Sequence, residues 1–449
     1  MPAPKPSIPD QHRANFRHLY LDIGWFGLLN GSAMSFISVY LVRIGASAFE
    51  IGLMNASPAV MAILLAIPAG AWLKNQHLDR AVFWTSVLNR AFYALWIPLP
   101  ALFLHSTQVW LVIGITLLMS VPGAALAVGF NAMFADAVPP EWRGHVVGVR
   151  NAVLAGTFIA TSLLCGYLLD NVIFPLNYQI VFALGVVGAV MSSYHLHRIR
   201  LGSVIPERVG RSLGDLVQPG FGQGLGDALR TGVGLRFLTR RFGLRKPRFS
   251  VLRGPFGPVL LSLFAFHLTQ HLAIPLFPIY WVENLALTDQ EISLGTALFY
   301  GMVFIGSTQL SRLTDRFGNR AITVAGAILM STYPGLTALS RGVPLFMVTS
   351  VVGGMAWSLA GGAMSNYILE KIPQDEMPTH LAWYMVIANL AVLAGSLGGP
   401  ALANWIGLIP ALMLIAAGRV LSALGIWRWG KPDPSGGTDL PEGVAPPLG

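Results

Sequence analysis

The chain is 449 residues long, 54% hydrophobic and only 11% charged, with a formal net charge of +9. Soluble domains carry about 25% charged residues, and a soluble protein this poor in charge would leave a large apolar surface in water. The composition therefore excludes an ordinary soluble protein and indicates a chain folded in lipid. The basic residues lie in short segments between apolar runs, a pattern typical of inner membrane loops that argues against a nucleic-acid partner.

Twelve apolar runs are long enough to be transmembrane helices, since about 20 residues cross the hydrocarbon core. Numbered as spans 1 to 12, they cover roughly residues 19–42, 51–73, 82–104, 109–134, 146–169, 178–197, 256–282, 292–313, 321–339, 344–369, 381–405 and 408–427. Pro and Gly recur inside them, as membrane helices tolerate. The predicted fold class is an all-α membrane protein.

The predicted organisation has two apolar halves joined by one basic linker. The segments are a tail at 1–18, a six-helix bundle at 19–197, the linker at 198–255, a second six-helix bundle at 256–428 and a tail at 429–449. Residues 198–254 hold eleven Arg and one Lys against three acids, so this stretch alone carries a charge of +9. Its length and Gly content argue against a core of its own. Part of it, residues 225–244, fits either an amphipathic helix on the membrane surface or a disordered segment.

The charges of the loops predict the orientation. One set of loops is rich in Lys and Arg, whereas the opposite set carries only Arg43 and Arg341. By the positive-inside rule, both termini and the linker are cytoplasmic in a plasma membrane protein. The basic loops then face the anionic inner leaflet, which is the expected lipid partner.

Motifs for other chemistry are absent from the sequence. Cys165 is the one cysteine, so no internal disulfide forms, and no CxxC pattern is present. There is no Walker loop, GxSxG elbow or zinc-ligand spacing. We therefore expect neither an enzyme nor a cofactor or metal.

Two loops between spans carry recognisable motifs. Residues 311–320 read SRLTDRFGNR after span 8, and residues 139–144 read PPEWRG after span 4. They resemble the Asp-Arg-x-Gly and Arg-Gly loops of the major facilitator superfamily of transporters. The resemblance implies twelve helices in two pseudo-symmetric six-helix bundles and assigns gating roles to Asp315, Arg316, Gly318, Arg320, Glu141, Arg143 and Gly144.

The Asp315 loop also has a physical reading of its own. Gly318 permits the positive φ that a tight turn at the inner surface needs. The Asp315 carboxylate suits the unpaired N–H groups at the start of a neighbouring helix. The resemblance implies that this neighbour is the start of span 5, near residues 144–150, in the other half. The equivalent loop of the first half departs from the pattern, because Lys74 stands where Asp is expected.

Polar side chains inside the spans are candidates for a central cavity, because polar groups at bilayer depth usually face a cavity or another helix. The resemblance implies a cavity lined by the first, second, fourth and fifth spans of each half. The candidate residues are Asn30, Asn55, Arg90, Asn131, His267, Gln270, His271, Tyr300, Trp357, Trp383 and Asn389.

His267 and His271 are four residues apart and therefore share one face of span 7. Cavity lining and interhelical packing are the two favoured roles for them. A metal site is the weaker alternative, because the sequence has no HExxH pattern and no carboxylate near them.

Four charged residues lie inside or near the ends of spans. Asp22 in span 1 and Arg90 in span 3 are predicted to form a structural ion pair, with contact to an anionic solute as the alternative for Arg90. Arg150 and Arg419, near inner helix ends, are expected to extend toward the membrane surface.

These observations favour a secondary-active or facilitative transporter of a small organic solute that works by alternating access as a monomer, with export as the favoured direction. The alternative is a polytopic sensor or scaffold of the same fold that does not transport and docks a cytoplasmic partner on its basic linker. No span has a carboxylate at its centre. Facilitated diffusion, coupling through His and coupling through solute charge therefore all stay open.

The asymmetry between the two halves gives a test. Asp315→Asn is expected to change the transport rate and the balance of inward- and outward-facing states more than Asp79→Asn does, because only the second half keeps the full loop motif. Accessibility labelling of single-cysteine variants in both backgrounds measures that balance. Equal effects of the two substitutions would contradict the asymmetry.

Overall fold

A computed structural model describes residues 10–74, 76–201, 254, 256–372 and 377–429. Most of the predicted linker at 198–255, the first nine residues and the C-terminal tail from residue 430 lie outside the described residues. In the part of the chain that the structure describes, every regular element is helical.

The first half contains spans 1 to 6. Span 1 is Asp10–Leu29, continued by the π-helical turn Asn30–Met34 and by Ser35–Arg43; span 2 is Ala48–Lys74; span 3 is Leu78–Ala91, continued by Phe92–Trp96 and Leu99–Leu102; span 4 is His105–Ala137; span 5 is Pro140–Asn171; span 6 is Leu176–His197.

The second half contains spans 7 to 12. Span 7 is Phe256–Ala273, continued by Leu276–Ile279 and Tyr280–Asn284; span 8 is Asp289–Phe317; span 9 is Asn319–Leu339; span 10 is Val343–Lys371; span 11 is Met377–Ile406; span 12 is Leu408–Trp429.

Ten helices of the described chain are long and apolar enough to cross a membrane by composition alone. Spans 3 and 8 are the two of the twelve spans that do not meet this criterion. Span 3 is interrupted near Pro98 and Pro100, which lack the N–H that continues a helix. Span 8 carries a polar run at residues 307–309. The fold is that of an all-α, multi-pass membrane protein with twelve helices in two six-helix bundles, as the sequence predicts.

The end of the bundle that bears the Arg-rich loops is called the inner end here, and the opposite end the outer end. At the inner end, Gly318 joins spans 8 and 9 with φ of 79° and donates its N–H to Thr314 O at 2.8 Å. That φ lies in the left-handed region, which glycine adopts without the clash that a Cβ would cause. The two helices therefore reverse direction over a single residue.

A buried charge cluster ties the helices of the first half together. Asp22 of span 1 is 3% exposed, with Arg150 Nη1 at 3.3 Å from Oδ2 and Arg90 Nη2 at 3.8 Å from Oδ1. Ser192 of span 6 donates to the same carboxylate, and Arg90 Nη1 donates to Ser193 Oγ at 3.0 Å. The carboxylate thus joins spans 1, 3, 5 and 6, and both guanidinium groups have a counter-ion in the low-dielectric interior.

The expectation that Arg150 and Arg419 extend to the surface is wrong. Arg150 turns inward because Asp22 and the carbonyl of Leu19, at 2.7 Å from Nη1, supply buried acceptors. Arg419 is 2% exposed and donates from Nη1 to Met330 O at 2.8 Å and from Nη2 to Thr269 O at 3.3 Å. Arg419 joins spans 7, 9 and 12, and Arg90 joins spans 1, 3 and 6. In each half, therefore, a buried arginine joins the same three spans by position.

Loss of the Asp22 charge is expected to destabilise the fold. Asp22→Asn leaves two buried guanidinium groups without a counter-ion, a defect that costs about 3–5 kcal/mol. We expect a lower thermal unfolding temperature for the detergent-purified protein, measured by intrinsic fluorescence. Asp79→Asn, at an exposed carboxylate, is the matched control. Equal unfolding temperatures for the two variants would show that the cluster does not stabilise the fold.

Candidate functional site: the gap between the halves

The two halves pack tightly against each other at the outer end. A Cβ built on Gly166 of span 5 would lie 2.1 Å from Ser293 Oγ of span 8, and one on Gly52 of span 2 would lie 2.1 Å from Ser396 O of span 11. Small residues let helix backbones approach closely in membranes, where dispersion and close packing replace the hydrophobic effect. Each pair of spans is therefore in direct contact across the halves.

Spans 5 and 8 separate toward the inner end. Gly148 lies 18 residues before Gly166, and Ser311 lies 18 residues after Ser293, so each is five helical turns further inward on the same face. A Cβ on Gly148 would have nothing within 4 Å, and Ser311 is exposed whereas Ser293 is buried. Spans 5 and 8 therefore enclose a gap that opens inward.

An aromatic pair crosses the gap just inside the outer contact. The ring of Phe158 in span 5 lies 4.3 Å from the ring of Tyr300 in span 8, centroid to centroid. Tyr300 also contacts Phe299, which in turn contacts Tyr333 of span 9. The pair separates the gap from the outer contact. Phe158 is buried and Tyr300 is half-buried, so Tyr300 is the member of the pair that can present aromatic surface to the gap.

Polar groups link the halves at the outer surface. Arg43, at the end of span 1, donates from Nη2 to Leu287 O at 2.6 Å and lies 3.3 Å from Asp289 Oδ1. Tyr178 of span 6 donates to Asp289 Oδ2 at 3.3 Å. The Asp170 carboxylate at the end of span 5 accepts the backbone N–H groups of Asp289 and Gln290. All of these contacts require the outer ends to be together.

The two predicted histidines of span 7 are hydrogen-bonded to neighbouring groups, whereas Gln270 is not fully satisfied. His267 Nε2 is hydrogen-bonded to the Tyr384 hydroxyl of span 11 at 2.9 Å, and His271 Nδ1 donates to the His267 carbonyl at 2.8 Å. Gln270 Oε1 is buried without a hydrogen-bond partner. No group of three or more His, Cys, Asp or Glu that could hold a metal occurs in the part of the chain that the structure describes.

The remaining predicted cavity residues differ in burial. Asn389 is fully buried and donates from Nδ2 to Met385 O at 3.0 Å. Arg90 belongs to the buried charge cluster of the first half. Five side chains are half-buried: Asn30, Asn55, Asn131, Trp357 and Trp383.

In the predicted gating loop of the second half, Asp315, Arg316 and Gly318 are exposed and Arg320 is half-buried. The contacts described for these residues lie within their own half. Asp315 accepts a hydrogen bond from Ser311 Oγ at 3.3 Å, and Arg316 lies over the Phe317 ring. Arg320 donates to the Trp427 carbonyl and lies 4.5 Å from the Trp427 ring centroid. The inner ends are apart here, so a contact from Asp315 to span 5 would require the state in which the inner ends are together. That contact stays a prediction.

The facing loop of the first half is similarly arranged. Glu141 and Gly144 are exposed. Arg143 donates to Ala135 O at 2.9 Å and to Val138 O at 3.2 Å, which fixes the turn between spans 4 and 5.

Sequence reasoning missed the four residues of the outer contact: Arg43, Asp170, Tyr178 and Asp289. The only signal was that charged residues stand at the outer ends of spans 1, 5 and 8. Such residues look like ordinary solvated loop charges, because the pairing of helix ends across the two halves is a property of the folded bundle.

The close contact of Gly166 with Ser293 gives a test of whether the outer ends are held together. In Gly166→Ala the added methyl meets Ser293, so we expect the outer ends to separate. The accessibility to a polar maleimide of a Tyr178→Cys label, buried at the outer contact, is then expected to rise about fivefold or more in a Cys165→Ala background, since 1 kcal/mol is about fivefold. Gly156→Ala on the same helix is the matched control, because its Cβ would have nothing within 4 Å. An unchanged accessibility in Gly166→Ala would contradict the described packing.

Comparison with known proteins supports one family. A model of the Major Facilitator Superfamily matches residues 23–249 and 259–447. The quinolone resistance protein NorA of Staphylococcus aureus (strain MRSA252) is 26% identical over 139 residues, which is 31% of this chain and 36% of NorA. The aligned part of this chain thus spans only about a third of the length of that relative.

Solved structures with the same fold include two transporters. A bacterial homologue of the iron transporter ferroportin in its inward-facing state has a TM-score of 0.66 at 15% identity, covering 95% of this chain and 100% of that chain. In its outward-facing state the homologue scores 0.56, at 14% identity over 93% of this chain and 99% of that chain. The nucleoside transporter NupG scores 0.63 at 12% identity, covering 95% of this chain and 100% of that chain.

Proposed function

The chain belongs to the Major Facilitator Superfamily, and on that premise we propose that it moves a small organic solute across the plasma membrane by alternating access. The observation that carries this proposal is the shape of the gap. Spans 5 and 8 touch at Gly166 and Ser293 and separate by Gly148 and Ser311, five turns further inward. Two rigid halves in contact at one end expose a central site to the other side only, as one state of an alternating-access cycle requires.

We propose an amphipathic, aromatic solute. The gap ends at the Phe158–Tyr300 pair, where the half-buried Tyr300 ring offers stacking surface, and half-buried amides such as Asn30 and Asn131 offer neutral hydrogen-bonding groups. Flat faces with hydrogen-bonding edges suit a ring system that carries polar substituents. The name of the relative NorA, a quinolone resistance protein, agrees with such a solute.

We propose export as the direction. In the described state the gap accepts a solute from the inner side, which the Arg-rich loops predict to be the cytoplasm. Closure of the inner end and separation of the outer contact then deliver the solute outside. Both termini are cytoplasmic in this proposal, and the chain acts as a monomer because each copy holds a complete gap between its own halves.

Transport by purified protein tests this proposal. Full-length protein in proteoliposomes is expected to move norfloxacin, a quinolone used as the probe. Tyr300→Ala is expected to reduce the initial rate by up to about tenfold because the stacking surface is lost, and an aromatic pair contributes up to about 1.5 kcal/mol. Ile305→Ala is the matched control, since it is exposed and lies roughly 140° around the same helix from Tyr300.

The outcomes separate the two candidate functions. A rate that falls in Tyr300→Ala and not in Ile305→Ala supports the transporter. If norfloxacin and a wider panel of aromatic solutes neither cross the membrane nor raise the unfolding temperature, the scaffold alternative is favoured. Binding alone stabilises a protein by mass action, so the unfolding temperature reports a solute even when transport is slow.

A further inference from the structure

We propose that Asp170 is the positioning residue that holds the outer end closed, because its carboxylate caps the first turn of span 8 across the boundary between the halves. The proposal rests on the proposed alternating-access function only in that the outer ends must separate during the cycle. Its test needs no solute, so it can fail or succeed independently of the transported compound.

The first four N–H groups at the start of span 8 are all satisfied, but by two different sources. Thr288 N donates to Glu291 Oε2 at 2.9 Å, and Glu291 N donates to Thr288 Oγ1 at 3.2 Å, which is a capping box within the second half. Asp289 N donates to Asp170 Oδ1 and Gln290 N donates to Asp170 Oδ2, both at 3.0 Å. One carboxylate of the first half therefore takes both amides that the helix cannot satisfy itself.

The geometry suits an ionised carboxylate. Both oxygens of Asp170 act as acceptors, and the positive end of the span 8 dipole favours negative charge at this position. An asparagine has one acceptor oxygen, and its NH₂ group would face a backbone N–H. The side chain of Asp289 is occupied separately by Arg43 and Tyr178, so Asp170 contacts the backbone alone.

The two caps respond differently to the transport cycle. The capping box lies within one half and persists whether the outer ends are together or apart. The Asp170 bonds join spans 5 and 8 and exist only when the outer ends are together. An interaction made in one state alone shifts the equilibrium between states, whereas one made equally in both does not. Asp170 is therefore specific to the outer-closed state.

Nearby packing places the carboxylate at hydrogen-bonding distance. Gly166, one turn before Asp170, would bring a Cβ within 3.0 Å of Asp289 O. Only a residue without a side chain lets the last turn of span 5 approach the first turn of span 8 so closely. Because Asp170 itself is exposed, water competes for its bonds and its contribution is at the lower end for charge-assisted hydrogen bonds.

The experiment measures both ends of the bundle in the full chain. Spin labels are placed at the outer end on Ser106→Cys and Arg341→Cys, and at the inner end on Gln76→Cys and Phe317→Cys, in a Cys165→Ala background; the labelled positions are exposed. Pulsed dipolar distances in lipid nanodiscs give the ratio of outer-closed to outer-open molecules. In Asp170→Ala we expect this ratio to fall about fivefold or more, with longer outer and shorter inner distances, and in Asp170→Asn we expect a smaller fall.

The matched control is Thr288→Ala, which removes the other half of the same helix cap. We expect it to lower the unfolding temperature and leave the ratio of states unchanged. Two outcomes overturn the proposal: an unchanged ratio in Asp170→Ala, or a shift in Thr288→Ala as large as that in Asp170→Ala. The second result would mean that the cap acts through the stability of span 8 and not through closure.

Discussion

The close contact of spans 5 and 8 at their outer ends is the constraint on which the shape of this protein depends. Where Gly166 meets Ser293 there is no room for a side chain, and five turns further inward the same faces are apart. Two helices that touch at one end and diverge at the other enclose a gap that opens toward the inner end. The outer polar contacts lie where the two helices touch, and the aromatic pair Phe158–Tyr300 lies just inward of that contact, where the helices begin to separate.

Buried arginines join the spans within each half. In the first half Arg90 and Arg150 share Asp22 as their counter-ion, whereas in the second half Arg419 is bonded to two backbone carbonyls and has no acid within salt-bridge distance among the described residues. Both arrangements join corresponding spans. The two halves therefore share a buried guanidinium that joins corresponding spans but differ in the groups that stabilise it.

A carboxylate placed at the N-terminus of a helix of the other half is common to the predicted Asp315 contact and to the observed outer contact. The Asp315 loop is predicted to cap a helix of the other half at the inner end, and in this structure its carboxylate is exposed. At the outer end the same chemistry is formed, by Asp170 on span 8. In an alternating-access protein a cap at one end and a cap at the other are mutually exclusive, since they require opposite ends of the halves to meet.

The sequence by itself determined that the chain folds in a lipid bilayer, how many spans it has, in which order they come, and which family it belongs to. Apolar length, Arg placement and the 311–320 loop are local properties, and the bilayer forces each apolar run of sufficient length to be a helix. Tertiary structure alone decided that Arg150 is buried. Arg150 was expected at the surface and is instead paired with Asp22, 128 positions away. It alone also decided that Asp170 meets span 8, because contacts between the halves depend on how two bundles pack and leave no periodicity in either helix.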